Sequence, residues 1–240
     1  MQLSKRLQCI AEYVTAGKRI ADIGCDHGWV SIYLAKNQIS PFVIAMDVRE
    51  GPLQRAKEHI LSYGLERKIE TRKSDGMAAL QPGDVDSVVI AGMGGPLMIR
   101  ILKQGELVAA KLDEMILSPQ SELEQVRRFL SSTGWKITRE EMVFDGGKYY
   151  TVMKVVHGKS ELKTETDFCF GRIMIDRKDP ILYQYLMKEK KTKEKILEML
   201  NKQDTYSCKQ RVKELKKELI LLKEAVNRFE VKSEVNTYEV

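Results

Sequence analysis

The sequence predicts an α/β fold: a mostly parallel sheet covered by helices, followed by a separate helical segment. Three observations carry this expectation. Short apolar runs alternate with amphipathic stretches as far as about residue 150. Two of the later runs, 135–144 and 149–156, are separated only by Asp145, Gly146, Gly147 and Lys148. Beyond residue 157 the apolar residues step by three and four along otherwise polar stretches. Strands apolar on both faces belong to parallel sheets with helices on either side, and the last pattern is that of packed helices.

Element by element, 19–23 reads as the first strand, with a turn at 24–28 and a helix through 31–36. A second strand at 42–46 precedes a helix at 51–63, and a third strand follows at 69–73. The fourth, 85–91, is strongly apolar and is bounded by Pro82-Gly83 before it and Gly92 after it. A fifth strand at 115–117 is followed by a helix at 122–131 that ends at Gly134. A four-residue connection between 135–144 and 149–156 forces an antiparallel hairpin, because a parallel pair needs a crossover of a dozen or more residues. Seven strands are therefore expected, mostly parallel and ending in one antiparallel hairpin, within a first domain at 1–157.

The second domain, 158–240, is expected to be a helical coiled-coil hairpin. Cys208, Val212, Leu215, Leu219, Leu222, Val226 and Phe229 form a heptad seam. Leu182, Leu186, Ile196 and Leu200 continue it upstream, interrupted by Glu189 and Lys193, and 201–205 is the expected break.

At 240 residues and 43% hydrophobic, the chain suffices for a full core plus a smaller appendage. Its four cysteines, Cys9, Cys25, Cys169 and Cys208, make no C-x-x-C pair, so neither a disulfide framework nor a metal site is expected. No run of about 18 apolar residues suggests a membrane span, and the N-terminus lacks the layout of a signal peptide. A cytoplasmic protein with no membrane partner is expected, and a monomer. The net charge of +6 leans towards a polyanionic partner.

The chemistry concentrates at the ends of the predicted strands, where open α/β sheets bind ligands. After the first strand come Asp22, Gly24, Cys25, Asp26, His27 and Gly28. Glycines at 24 and 28 allow a tight turn and close approach of a ligand. The spacing is not G-x-G-x-x-G, and Asp26 places a negative charge where a pyrophosphate would lie. That argues against a dinucleotide and suits a ligand bearing a cationic amino group and a sulfonium. Asp47 ends the second strand, where a carboxylate accepts hydrogen bonds from both hydroxyls of a ribose; an N-cap aspartate is the bland alternative. Ser74, Asp75 and Gly76 follow the third strand, where a carboxylate would meet an adenine amino group, although a Ser-Asp-Gly turn needs no ligand. Gly92, Met93, Gly94 and Gly95 close the fourth. These glycines make room for a planar substrate and leave backbone carbonyls to hold its amino group. Asp26, Met93 and Gly94 are the candidates for the reacting centre. His27 is a second candidate for assisting proton loss.

Taken together, these residues resemble the bacterial tRNA (adenine-22-N1)-methyltransferases, the TrmK family, over essentially the whole chain. The resemblance rests on Leu7, Ile10 and Ala11 of an opening helix, IADIGCDHG (20–28), SDG (74–76), AGMGG (91–95), SPQ (118–120) and DGGKYY (145–150). It implies a Rossmann-like class I methyltransferase domain, S-adenosyl-L-methionine as cofactor, and transfer to N1 of an adenine in the D-arm of tRNA. Asp26 stands where the common methyltransferase motif has a glycine, and AGMGG stands where many amino-methylating enzymes carry an Asn-Pro-Pro-aromatic box. Between 188 and 217 the chain has eleven lysines and arginines against five acids; Lys190, Lys191, Lys195, Lys209 and Arg211 are the candidate phosphate contacts. The competing readings are a methyltransferase of the same fold with another substrate, a non-catalytic RNA-binding protein, and, more distantly, an NAD-dependent oxidoreductase.

Overall fold

A computed structural model describes residues 1–202 and 206–230. It divides into two compact units, Met1–Glu161 and Leu162–Val240. The last strand of the first unit ends at His157, and 158–161 stay with that unit rather than opening the second.

The first unit opens with α1 (Lys5–Tyr13), capped by the Ser4 hydroxyl accepting from the Leu7 N–H. There follow β1 (Ile20–Ile23), α2 (Trp29–Lys36), β2 (Val43–Asp47), α3 (Glu50–Ser62), β3 (Ile69–Lys73) and β4 (Ser87–Ala91). Then come α4 (Gly95–Gln104), α5 (Glu106–Ala109), β5 (Glu114–Ser118), α6 (Leu123–Ser132), β6 (Trp135–Asp145) and β7 (Lys148–His157). The seven strands form one sheet in the order β3-β2-β1-β4-β5-β7-β6, the first five parallel and β7 antiparallel to both neighbours. The expected strand at 85–91 begins two residues later, because Asp86 turns aside to hold Arg19 through two side-chain hydrogen bonds of 2.7 and 3.1 Å. Helices α4 and α5 fill the crossover between β4 and β5, which the reading of the sequence left without an element.

β1, β2 and β5 are buried along their whole length and β4 along all but its last residue. That is the reason they read as unbroken apolar runs rather than alternating ones. β6, at the sheet edge, alternates, and its register shifts between Ile137 and Arg139, a bulge that raises local twist. Beneath α6 the Arg127 guanidinium and the Glu140 carboxylate form a 2.8 Å ion pair, both side chains 1% exposed.

The second unit has two short helices absent from the sequence expectation, α7 (Glu165–Phe170) and α8 (Arg172–Asp176), before the long α9 (Pro180–Leu200) and α10 (Tyr206–Glu230). Thr164 and Asp167 close a capping box at the head of α7. Arg228 on α10 reaches both short helices, donating to Asp167 at 2.6 Å and Asp176 at 2.9 Å. α9 and α10 pack antiparallel: Lys193 faces Glu218 at 2.7 Å, while further back along α9 Tyr183 meets Phe229. Leu182 and Leu186 of the expected seam are buried, as are Leu215, Leu219, Leu222 and Val226 on α10, but Ile196 is exposed. At the expected interruption, Lys193 pairs with Glu218 across the two helices and with Glu189 at 3.5 Å on its own helix. Part of the expected break, 203–205, and the end of the second domain, 231–240, lie outside the described residues.

Candidate active site

The carboxyl ends of β1 to β5 open into a cleft of about 500 Å³ at the point where strand order reverses between β1 and β4. Its size is that of a small-molecule site, for which about 300–1,000 Å³ is usual. Backbone geometry builds its floor. The N–H groups of Gly24 and Cys25 both donate to the Met46 carbonyl, at 2.8 and 2.9 Å, folding the turn after β1 against the end of β2. Gly24 holds φ at +75°, and the Met93 side chain lies where a Gly24 side chain would stand.

Around this floor, carboxylates come from successive strands. Asp22 is buried and accepts the Ser31 hydroxyl at 2.7 Å. Burial pushes its carboxyl up to about 6, against the pull of Ser31, and the Asp47 charge adds to the rise. Asp47, also buried, takes the Arg49 N–H at 2.9 Å. Asp75 faces Arg100 at 3.2 Å. Asp26, at a left-handed φ of 49°, holds its exposed carboxylate 3.5 Å from Arg55 and 3.7 Å from His27. The His27 carbonyl is 3.0 Å from Nδ1 of His59, whose ring stacks on Trp29 at 4.2 Å. Cys25 is buried; burial and then the Asp22 and Asp47 charges push its thiol up, which disfavours the thiolate.

Of the residues expected at the site, Asp22, Gly24, Cys25, Asp26, His27, Asp47, Ser74, Asp75, Gly76, Gly92 and Met93 all line this one cleft. Gly28 and Gly94 do not. Gly28 is the N-cap of α2, at φ +74°, with Ala56 of α3 packed against the place of its missing side chain. Gly94 caps α4 and lies against Ser121. Two contacts shape the rim further. The Met93 carbonyl is engaged, accepting the Gln120 N–H at 2.8 Å. The Ser74 hydroxyl closes its own turn, donating to the Gly76 carbonyl and accepting the Ala79 N–H. The lysines and Arg211 lie on the second unit, where Arg211 is bound to Glu214 and Glu218 at 2.9 and 3.1 Å.

Arg6, Trp29, Arg49 and Arg100 also line the cleft and were not singled out from the sequence, and Gln120, which lines it too, was named only within the SPQ motif. Arg49 follows a strand-terminal aspartate and Gln120 follows β5, so the strand-end rule reaches both. Arg6 has no such signal, since α1 precedes the first strand.

A sheet of this order, ending in an antiparallel hairpin and bearing acidic strand tips around a glycine turn, defines an S-adenosylmethionine-dependent methyltransferase. The acidic tips suit a cationic, ribose-bearing cofactor and repel a pyrophosphate. Comparison with known proteins agrees. Residues 3–153 match the family described as "Methyltransferase domain". The tRNA (adenine(22)-N(1))-methyltransferase of Bacillus subtilis is 30% identical over 95% of this chain and 98% of its own length. The solved structure of the B. subtilis m1A22 tRNA methyltransferase TrmK superposes with a TM-score of 0.83, at 30% identity over 94% of this chain and 99% of that one. A Streptococcus pneumoniae protein solved with S-adenosyl-L-methionine superposes at 0.85, with 31% identity over 94% of this chain and all of the other. The chain belongs to the tRNA (adenine(22)-N(1))-methyltransferase family. Among the described residues no cluster of metal-binding side chains occurs, and no helix is long and apolar enough to cross a membrane.

Proposed function

We propose that this protein transfers a methyl group from S-adenosyl-L-methionine to N1 of adenine 22 in the D-arm of tRNA, as a monomer in the cytoplasm. The observation that carries the reading is the convergence of eleven expected cofactor-site residues on one cleft in a chain that matches the B. subtilis enzyme end to end. The cofactor supplies an electrophilic methyl group on a sulfonium. Asp47 takes the ribose hydroxyls, Asp75 the adenine end, and the Asp22–Asp26 turn the cationic amino group. Met93, lying over Gly24, borders the methyl, and the acceptor base enters over Gly92.

The transfer is an in-line displacement: the N1 lone pair forms the new carbon–nitrogen bond as the carbon–sulfur pair returns to sulfur. No proton need leave, because the methylated ring carries the charge. Alignment and exclusion of water therefore do most of the work, and Asp26 is the carboxylate placed to favour the cationic product. N1 lies on the Watson–Crick edge, so a paired or stacked adenine must first be turned out, at about a few kcal/mol. Lys190, Lys191, Lys195, Lys209 and Arg211 of the second unit hold tRNA phosphates, a contact that positions RNA without reading its sequence.

The test is incubation of the full chain with an unmodified tRNA transcript and labelled cofactor, then mapping of the methylated nucleoside by mass spectrometry. N1-methyladenosine at position 22 supports the reading. Methylation of another molecule in its place, or cofactor binding with no transfer to any RNA, rejects it.

A further inference from the structure

The DGGKYY motif at the β6–β7 turn does not line the cleft, yet it grips a residue that does. The Asp145 carboxylate accepts the backbone N–H of Arg6 at 3.0 Å, and the Arg6 guanidinium lies over the Tyr150 ring, 5.0 Å from its centre. Arg6 Nη1 is shielded from solvent and has no hydrogen-bond partner among the described residues. A shielded guanidinium N–H without an acceptor is a standing energetic cost, which an incoming acceptor relieves.

The same nitrogen lies 3.6 Å from the place a Gly92 side chain would occupy, and the Gln120 amide lies 3.9 Å from it. The Gln120 side chain is exposed, while its backbone is tied to Met93. Two polar groups from separate elements thus converge on one gap left by a glycine at φ +82°.

The geometry points to Arg6 and Gln120 as the specificity residues for the accepting base, an inference that rests on the function proposed above. Arg6 Nη1 donates to N7 of the purine, and the Gln120 amide, turned so that its oxygen faces inward, accepts a hydrogen of N6. These groups lie side by side on the major-groove edge of adenine, and an amide suits that edge. Holding it leaves N1 free to face the methyl group. Guanine is refused, because its O6 would meet the amide oxygen. As the ring becomes cationic its N6 hydrogens become better donors, so the Gln120 contact strengthens in the transition state, where a contact raises kcat.

The test uses the full-length protein and tRNA transcripts bearing adenosine, 7-deazaadenosine or purine riboside at position 22. For the wild type, kcat/KM falls about tenfold or more when N7 or the 6-amino group is removed, the equivalent of one hydrogen bond. Arg6→Ala and Gln120→Ala are slow on adenosine but keep their affinity for S-adenosylmethionine. Arg6→Ala loses nothing further with 7-deazaadenosine, and Gln120→Ala nothing further with purine riboside. The inference is overturned if the wild type uses both analogues as well as adenosine, or if each penalty persists undiminished in its variant. The wild-type arm needs no variant to fold. Failure of the wild type to methylate the adenosine transcript is the failure of the proposed function itself, and the inference falls with it.

Discussion

The Met93 side chain occupies the space that any side chain on Gly24 would need. This ties the turn after β1, which would cradle the cofactor, to the end of β4, where the acceptor would enter.

Gly24→Ala should therefore lose on two counts. A non-glycine residue at φ +75° costs about 1–2 kcal/mol, and the new methyl displaces Met93. The expected outcome is a lower melting temperature and about a tenfold or greater loss of affinity for S-adenosylmethionine, read by thermal unfolding and calorimetry. Unchanged affinity would show that the turn does not touch the cofactor.

Asp22 gives the cofactor site a pH dependence. Its carboxyl is raised to about 6 in the folded protein. If the ionised form is what receives the cofactor's cationic end, affinity is level above about pH 7 and falls about tenfold per unit well below pH 6. Asp22→Asn should bind weakly with no such slope, as titration calorimetry across pH would reveal. Stability without cofactor runs the other way. A carboxyl raised on folding contributes stability that is fully present below its ordinary value of 3.8 and is lost as pH rises through about 6. Asp22→Asn should thus stabilise the unliganded protein at neutral pH and lose that advantage in acid.

The Arg127–Glu140 pair is buried between α6 and β6, away from the cleft. Removing one partner breaks a buried ion pair, so Arg127→Met or Glu140→Leu alone should cost about 3–5 kcal/mol in urea unfolding. Both changes together should cost much less than their separate effects combined. Strictly additive losses would mean that the two ions do not depend on each other.

Charge reversal at Lys190, Lys191 and Lys195 together should weaken tRNA binding about tenfold or more at moderate salt and flatten its salt dependence. Cofactor affinity, a property of the first unit, should not move. Filter binding at several salt concentrations, with calorimetry beside it, reads both. Equal tRNA affinity before and after the change removes these lysines from the interface. Arg211, already bound to Glu214 and Glu218, should contribute less than they do.

Much of the cleft was legible because strand ends announce themselves. The residue after an apolar run sits at the rim of the sheet whatever the packing above it, which is how Asp47, Ser74 and Gly92 came to be expected there. Gly28 and Gly94 fall just past that rim, each at the N-cap of the helix that follows. Arg6 escaped notice because it belongs to a helix preceding the sheet. Its place in the cleft depends on a hairpin tip more than a hundred residues further along the chain.

Lys193 makes the same point in the second unit. As a charge in an apolar seam it reads as an interruption, and only the neighbouring helix, by offering Glu218, gives that charge a partner. The sequence alone determined the elements that local pattern controls: the alternation of strands and helices, the antiparallel hairpin forced by a four-residue turn, and the strand-end residues. Tertiary structure decided which of those residues share one cleft and which charges are neutralised. Periodicity and turn chemistry act over a few residues, whereas burial and ion pairing depend on partners that the chain brings together only when it folds.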